Sequence, residues 1–334
     1  MPPALAIPLF LVSLVVALSS AAFFARVLDR LGVRLGLPEV LLGVLTALAA
    51  DGPEITSAIV ALAKGATGVS LGVVVGSNVF NLVAMLGLSV LLAGRIRLAR
   101  ETLAIEGTVG LLVTLLTGGV VLEIVPAAVG VVLIGCVLVP YGLLLARGPL
   151  IANRLGLPPR FERLLVRAGG EPEQRHDHEE IEEAAAVWKL VALMVPAVAL
   201  IVLGSTGMVE TAVALADRWR VPAGVLGVLV LAPLTSLPNA FTAIRLGRAG
   251  RGAALVSETL NSNTINLVAG VAVPALFVTV VSTAAETKFG FGWLLVMTVA
   301  SLLMLSRPRG MGRQAGVVLV GLFVVFVAVE LAQT

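Results

Sequence analysis

The sequence is dominated by apolar stretches of roughly 20 residues, separated by short polar segments. A helix of that length crosses the roughly 30 Å of hydrocarbon in a bilayer and satisfies its own backbone hydrogen bonds there. With 58% hydrophobic and 13% charged residues, the chain has too few polar side chains to cover a soluble domain of its size. We therefore predict an all-α polytopic membrane protein of about ten transmembrane helices. The predicted spans are 3–24, 38–62, 69–92, 102–122, 126–146, 187–208, 222–244, 253–280, 290–306 and 315–332.

The distribution of charge predicts how these spans are threaded. Nothing before Arg26 is charged, so the first stretch lacks the basic region of a secretion signal and is predicted to be a membrane helix. Alternate loops hold 18 arginines, whereas the loops between them hold four basic residues. Because cytoplasmic loops carry such an excess, we predict an even number of spans in a bacterial inner (plasma) membrane, with both termini outside. Arginines spread over so many loops form no patch for nucleic acid.

Several kinds of chemistry find no support in the sequence. The single Cys136 lies in an apolar run, so neither a disulfide framework nor a thiolate metal site is predicted. A Walker glycine loop is absent, and we therefore expect no nucleotide. The prediction is a protein that is not an enzyme and has no cofactor, whose partners are the lipid bilayer and inorganic cations.

A repeat at a constant sequence offset divides the chain into two halves. Residues 51–54 align with 236–239, and 76–83 align with 261–268 in the same register. The copies lie five predicted spans apart, so they should cross the membrane in opposite directions, as in secondary transporters that bind substrate near the midplane. We predict one five-helix repeat over 1–146 and a second over 187–334, with repeat motifs at about 38–92 and 222–280.

The longest polar stretch, 147–186, joins the two halves and is predicted to be a cytoplasmic linker. It ends in an acidic segment, His176 to Glu183, that should run helically into the sixth span. This segment could bind a divalent metal as a regulatory site. A solvated helix face is the favoured interpretation, because acidic residues complement the dipole at a helix start.

Two acids inside the second predicted span mark the first candidate site. Asp51 and Glu54 flank Gly52 and Pro53, and a carboxylate at the centre of a span costs about 2.5 to 3.5 kcal/mol, so its presence calls for a function. Proline removes a helical donor and should open the helix there. Carbonyl and carboxylate oxygens together suit hard cations such as Na⁺ or Ca²⁺. The alternative is a packing kink whose acids are protonated.

Neutral polar residues in the repeat motifs complete the candidate set. Asparagines three positions apart share a helix face, and they either bind a cation or make interhelical hydrogen bonds; ligation is favoured for the second of each pair. Pro238 predicts a second kink, which carries hydroxyl and amide oxygens. Glu258 could be a ligand, a proton carrier or a residue near the inner surface, and Glu106 is predicted to be interfacial. The asparagines and the polar residues of the second kink are Asn78, Asn81, Asn263, Asn266, Thr235, Ser236 and Asn239.

The two motif pairs resemble the α-repeats of the sodium/calcium exchanger superfamily. The family repeat reads roughly Gly-Thr-Ser-Leu-Pro-Glu and, about 24 residues further along the chain, Gly-Ser-Asn followed by two residues and then Asn or Asp. The resemblance implies a central cation site, with spans 1 and 6 as gating helices that slide against a fixed core. Two departures bear on the charge of the site: Asn239 stands where the family has its second Glu, and Asp51 stands where it has Ser. The ligand roles that the resemblance implies fall on Glu54, Ser77, Asn81, Ser236, Ser262 and Asn266.

These observations predict a secondary antiporter that exchanges Ca²⁺ or a similar cation for Na⁺ or H⁺, with Asp51, Glu54, Asn81 and Asn266 as the principal metal ligands. Two acids in one half repel each other, so at least one of Asp51 and Glu54 should bind a proton when the site is empty. Two alternatives stay open. One is a non-transporting cation sensor or structural protein that retains the exchanger fold. The other is an intramembrane enzyme with Asp51 and Glu258 as an acid pair.

Overall fold

The computed structural model describes residues 3–35, 45, 47–155, 180–282 and 284–332, and these residues are mostly helical. The helices of the first half are α1 (Pro3–Arg34), α2 (Gly52–Ala63), α3 (Thr67–Asn81), a π-helical segment (Leu82–Leu88), α4 (Ser89–Ala93), α5 (Arg100–Val121) and α6 (Ala127–Leu155). Those of the second half are α7 (Glu180–Trp219), α8 (Ala223–Leu226), a π-helical segment (Gly227–Leu231), α9 (Ala232–Thr235), α10 (Leu237–Arg248), α11 (Gly252–Leu267), a π-helical segment (Val268–Ala272), a 3₁₀ turn (Pro274–Leu276), α12 (Ala285–Leu305) and α13 (Arg313–Ala332).

Seven of the described helices are long and apolar enough to cross a membrane. An eighth span results if the segments Gly224–Thr235 and Leu237–Arg248, which meet at an angle of 48°, are counted together. The predicted spans 38–62 and 253–280 do not pass this test. In the first of them the described helix α2 has 12 residues, and the second is divided among α11, a π segment and a 3₁₀ turn. The number ten therefore stays a prediction.

The predicted linker 147–186 is helical at both of its ends. Helix α6 continues to Leu155, and α7 begins at Glu180. The first residues of the linker are thus an extension of the fifth predicted span. The segment between the two helices, including His176 and the acids next to it, lies outside the described residues.

The offset of the sequence repeat recurs in the helix boundaries. Helix α10 begins and ends at the positions that the repeat makes equivalent to the two ends of α2, and the starts of α5 and α12 are equivalent in the same way. The turns that follow α2 and α10 each contain a left-handed glycine, Gly65 and Gly250, and both have φ of 74°. The two copies of the sequence motif therefore adopt the same local structure.

A short antiparallel ribbon joins the two halves at one end of the helices. Arg95 and Ile96 pair with Gly312 and Met311, respectively. Ile96 and Met311 are both buried, so the ribbon closes over the apolar core. It connects the loop after α4 to the start of α13.

Helix α3 lies at the centre of the bundle and positions the site. Nearly all of residues 69–87 are buried, and the glycines of α3 allow the helix that begins at Ala223 to approach closely. A Cβ atom on Gly72 would overlap the carbonyl oxygen of Gly224, and one on Gly76 would lie 2.8 Å from the Cα of Val228. Close backbone contact through small residues is a common way to join helices in lipid.

Candidate functional site

Two proline-containing breaks bring polar side chains to the middle of the bundle. Asp51 immediately precedes α2 and Ser236 immediately precedes α10, and both have backbone angles near the bridge region. Pro53 and Pro238 lie in the first turns of these helices. Because proline has no N–H, each leaves the carbonyl one helical turn earlier without its donor. The local sequence therefore places uncompensated carbonyl oxygens next to acidic and amide side chains.

The two carboxylates of the first half meet neutral donors of the second half. Asp51 Oδ1 accepts hydrogen bonds from Asn239 Nδ2 at 2.6 Å and from Ser262 Oγ at 2.7 Å. Glu54 Oε1 accepts a bond from Ser236 Oγ at 2.9 Å and a longer one from Asn239 Nδ2 at 3.5 Å. Asn239 thus bridges both acids. Both carboxylates have 0% exposure, and their hydrogen-bond partners among the described residues are uncharged.

The asparagines of α3 and α11 form a second layer between the halves. Asn78 Nδ2 donates to the backbone oxygen of Asn263 at 3.1 Å, and Asn263 Nδ2 donates to the backbone oxygen of Asn78 at the same distance. Asn81 Nδ2 donates to Ser262 Oγ at 3.1 Å and to Asn263 Oδ1 at 3.3 Å. The amide nitrogens of Asn78 and Asn263 therefore make interhelical hydrogen bonds, which was one of the two roles that the sequence left open for these residues.

Six oxygens of the candidate residues are buried without any hydrogen-bond partner among the described residues, four of them on the hydrogen-bonded residues Asp51, Glu54, Asn78 and Asn81. Buried polar atoms in proteins are nearly always satisfied, so this set requires an explanation. Carboxylate, amide and hydroxyl oxygens together are the donor set that Na⁺ and Ca²⁺ prefer. The unpartnered oxygens are Asp51 Oδ2, Glu54 Oε2, Ser77 Oγ, Asn78 Oδ1, Asn81 Oδ1 and Asn266 Oδ1.

The acids alone would not hold an ion. The described residues contain no group of three or more His, Cys, Asp or Glu side chains that could bind a metal. A cation among the unpartnered oxygens would therefore depend on amide and hydroxyl ligands from α3 and α11 as well as on Asp51 and Glu54. Such a site is less charged than an all-carboxylate one.

Glu258 is not part of the cluster. It lies on α11 about one helical turn before Ser262, and its side chain is partly buried. It is within electrostatic reach of Asp51 and also of Arg245 and Arg251, which lie at and just beyond the end of α10. Glu258 thus interacts electrostatically both with the arginines of the basic loop and with the central carboxylate of Asp51.

Sequence reasoning missed several polar contacts. Glu106, predicted to be interfacial, is 8% exposed and accepts a hydrogen bond from Ser257 Oγ at 2.8 Å. It is buried because its face of α5 packs on α11, a lateral contact that no local pattern predicts. Tyr141 on α6 donates to Asn261 Oδ1 at 2.9 Å.

Two serines were also overlooked, although a signal for each is present in the sequence. Ser57 Oγ is buried without a partner among the described residues, one turn after Glu54, and its helical spacing from Glu54 could have indicated a shared face. Ser205 on α7 donates to the backbone oxygen of Pro53 at 3.4 Å. Ser205 is separated from Ser20 by the same offset that relates the motifs.

The fold and the site define a polytopic helical membrane protein with a central cluster of buried carboxylate, amide and hydroxyl groups made from two similar halves. Comparison with known proteins agrees with this class. The model of the family described as sodium/calcium exchanger protein matches residues 5–147 and 189–332. The chain belongs to this family of cation antiporters, as the motifs predicted.

Individual relatives align with nearly the whole chain. The inner membrane protein YrbG of Escherichia coli (strain K12) is 26% identical over 332 residues, which are 97% of this chain and 96% of that protein. Two solved structures of the sodium-calcium exchanger NCX_Mj are each 19% identical. The structure soaked with 2.5 mM Na⁺ and 10 mM Sr²⁺ has a TM-score of 0.60, and that soaked with 10 mM Na⁺ and zero Ca²⁺ has 0.61; each comparison covers 98% of this chain and 99% of that one. At this identity the likeness shows the fold.

Proposed function

We propose that the protein exchanges Ca²⁺ or a similar cation for Na⁺ or H⁺ across a bacterial inner membrane by alternating access. The observation that carries the proposal is the group of buried, unpartnered oxygens on Asp51, Glu54, Asn78 and Asn81, residues that are hydrogen-bonded to the second half. Their number and chemistry suit a hard cation, and their position between the halves suits a site that is exposed to each side in turn. Metal binding is assigned first to Asp51, Glu54, Asn81 and Asn266. Ser77, Asn78, Ser236, Asn239, Ser262 and Asn263 complete the site.

The charge of the site supports these ions. Two carboxylates can balance one divalent or two monovalent cations. Asn239 Nδ2 lies 2.6 Å from an oxygen of Asp51 and 3.5 Å from one of Glu54, so the two acids are close enough to disfavour a doubly charged empty site. We propose that one of them holds a proton when no cation is bound. Cation release would then be coupled to proton uptake.

The proposed topology is ten spans in two inverted five-helix repeats, with both termini outside. The matching helix boundaries support the repeat. The reciprocal bonds of Asn78 and Asn263 support a twofold axis between the halves, because the side chain of each residue donates to the backbone oxygen of the other. Inverted repeats allow one fold to adopt two access states. A repeat conformation that opens the site to the inner side in one half opens it to the outer side when the other half adopts it.

We also propose that Glu258 carries protons between the inner surface and the site; the alternative is a further cation ligand. Its electrostatic interactions with Arg251 and with Asp51 support the first of these roles. Because Glu258 lies outside the cluster, Glu258→Gln should slow transport and leave cation affinity largely unchanged. If Glu258→Gln lowered the flux and the cation affinity equally, Glu258 would instead be a ligand.

The proposal is tested by ion flux into proteoliposomes across gradients of Na⁺, K⁺, Ca²⁺, Mn²⁺ and H⁺. Glu54→Gln should abolish exchange in protein that elutes and melts like the parent. Glu101→Gln, which neutralises an exposed acid at the start of α5, is the matched control and should transport normally. Flux that is unaffected by Glu54→Gln would contradict the site, and exchange insensitive to a pH gradient would contradict proton coupling.

A second candidate function is a cation sensor that no longer transports. It is favoured by Asn239, which stands where the family pattern has its second acid and here donates hydrogen bonds to both carboxylates. Calcium binding by calorimetry without flux under any gradient would support the sensor.

A further inference from the structure

Helices α1 and α7 form a tightly packed pair. A Cβ atom on Gly204 of α7 would lie 2.7 Å from the backbone of Ser13 and Ala17 in α1, so the two backbones are nearly in contact. Small residues at a helix crossing give this close approach in lipid. Each of the two helices has its most extensive contacts with the other. They are also equivalent in the repeat, since Arg34 at the end of α1 aligns with Trp219 at the end of α7.

Helix α7 contacts the first proline break through two consecutive turns. Ile201 is 4% exposed and lies 3.7 Å from the position that a Cβ on Gly52 would occupy. One turn later, Ser205 is fully buried and donates its hydroxyl to the carbonyl oxygen of Pro53 at 3.4 Å. That distance is long for an O–H···O bond. Pro53 directly precedes the ligand Glu54.

The equivalent contact with the second proline break is not formed among the described residues. The repeat places Val16 and Ser20 of α1 where Ile201 and Ser205 stand, and the break they would meet is Leu237–Pro238. Leu237 is 47% exposed. Ser20 is 7% exposed, and its hydroxyl makes no hydrogen bond with the residues that the structure describes. Phe241, one turn further along α10, is 72% exposed.

We propose that Ser205 and Ser20 are a pair of positioning residues, each of which donates to the proline carbonyl of one break in one access state. This inference depends on the proposed alternating access. In the present structure Ser205 engages Pro53 and closes α7 over α2, while Leu237 and Phe241 on the equivalent face of α10 are exposed. With the predicted orientation, α2 runs to the outer side and α10 to the inner side, so this is the state that opens inward. In the opposite state Ser20 engages Pro238 and Ser205 is released.

The test uses two cysteine reporters that are equivalent in the repeat, in a Cys136→Ala background because Cys136 is exposed. Thr56→Cys reports on the outer side of α2, and Phe241→Cys reports on the inner side of α10. Labelling rates with a membrane-impermeant maleimide are measured in right-side-out and inverted vesicles. In the parent, position 241 should label faster than position 56.

Loss of one neutral hydrogen bond should shift the ratio of the two labelling rates by about threefold. Ser205→Ala should raise labelling at 56 and lower it at 241, Ser20→Ala should lower labelling at 56, and Ser205→Thr should restore the parent ratio. An unchanged ratio, or rates that rise together because packing has loosened, would overturn the inference. Labelling does not require transport, so opposite shifts without cation flux would retain the serine pair and reject the antiporter.

Discussion

The two copies of the repeat share their helix boundaries and differ in what they bring to the centre. At the first break stand Asp51 and Glu54, whereas the equivalent positions of the second hold Ser236 and Asn239. Each group of the second copy donates a hydrogen bond to an acid of the first. The two copies therefore have similar backbones but different roles. The first copy supplies the carboxylates, and the second supplies the hydrogen-bond donors that orient them.

A second difference lies behind the site. Helix α3 has Gly72 and Gly76 against the backbone of residues 224–228. In α11 the equivalent residues are Ser257 and Asn261, which bond to Glu106 and Tyr141. Among the residues that the structure describes, α3 is thus positioned by backbone contact and α11 by side-chain hydrogen bonds. In the other half, Phe291 and Phe326 occupy the positions equivalent to Glu106 and Tyr141, and both are buried.

The largest effect should come from moving the charge. Asp51→Ser leaves one acid in the site and should lower Ca²⁺ flux by at least about tenfold, because affinity follows the charge of the ligands. Adding Asn239→Glu places one acid in each copy and should recover most of the flux. Proteoliposome uptake of both variants measures this. If the double variant stays as inactive as the single one, the side on which the charge lies matters more than its sum.

The glycine contact should tolerate change less than its polar counterpart. Gly72→Ala inserts a methyl group into the carbonyl of Gly224 and should lower the free energy of unfolding by about 3 kcal/mol. Ser257→Ala, at the equivalent position, loses one hydrogen bond and should cost about 1 kcal/mol. Thermal unfolding in detergent compares them. Equal losses would show that the two copies are held in the same way.

The bond between Tyr141 and Asn261 should contribute a smaller amount. Tyr141→Phe removes the donor to a largely buried amide oxygen and should cost about 1 kcal/mol. A double-mutant cycle with Asn261→Ala isolates the pair, because the second change should add little once the first is made. Full additivity of the two losses would mean that the hydrogen bond stabilises nothing.

The smallest effect is expected at an ion pair that only one copy has. Lys64 Nζ lies 2.6 Å from Glu210 Oε1, and the equivalent residues are Ala249 and Ala25. The two side chains are 41% and 56% exposed, so the pair should contribute under about 1 kcal/mol and weaken at high salt. Unfolding of Lys64→Ala, Glu210→Ala and the double variant at low and high salt provides the measurement. A salt-independent coupling would contradict this.

Much of the fold could be predicted because it depends on local patterns. Apolar length indicated the helices, and the constant offset of the repeat located both proline breaks. The family prediction is confirmed. The spans 38–62 and 253–280 were harder to establish, because a proline break shortens the first described helix and π-helical and 3₁₀ turns divide the second. These π-helical and 3₁₀ turns depend on packing, and a hydropathy profile does not reveal them.

The candidate site was predictable in composition but not in its pairings. The motifs indicated Asp51, Glu54 and the asparagines, and hydrogen bonds connect all of them to the opposite half except Asn266, which is buried without a partner among the described residues. Which amide nitrogen reaches which carbonyl depends on how α3 crosses α11, and helix crossing depends on side chains far apart in sequence. For the same reason the burial of Glu106 against α11 could not be foreseen. The ligand roles of these residues stay predictions until cation binding is measured.

The reciprocal bonds of Asn78 and Asn263 make the two halves dependent on each other. The side-chain amide of each asparagine finds its acceptor in the other half, at a backbone carbonyl; that of Asn78 also accepts the helical N–H of Leu82. A chain of half this length would keep its helical bonds but would leave the asparagine amide without that acceptor in hydrocarbon, at a cost of several kcal/mol. The crossed amides therefore favour the joined halves over either half alone.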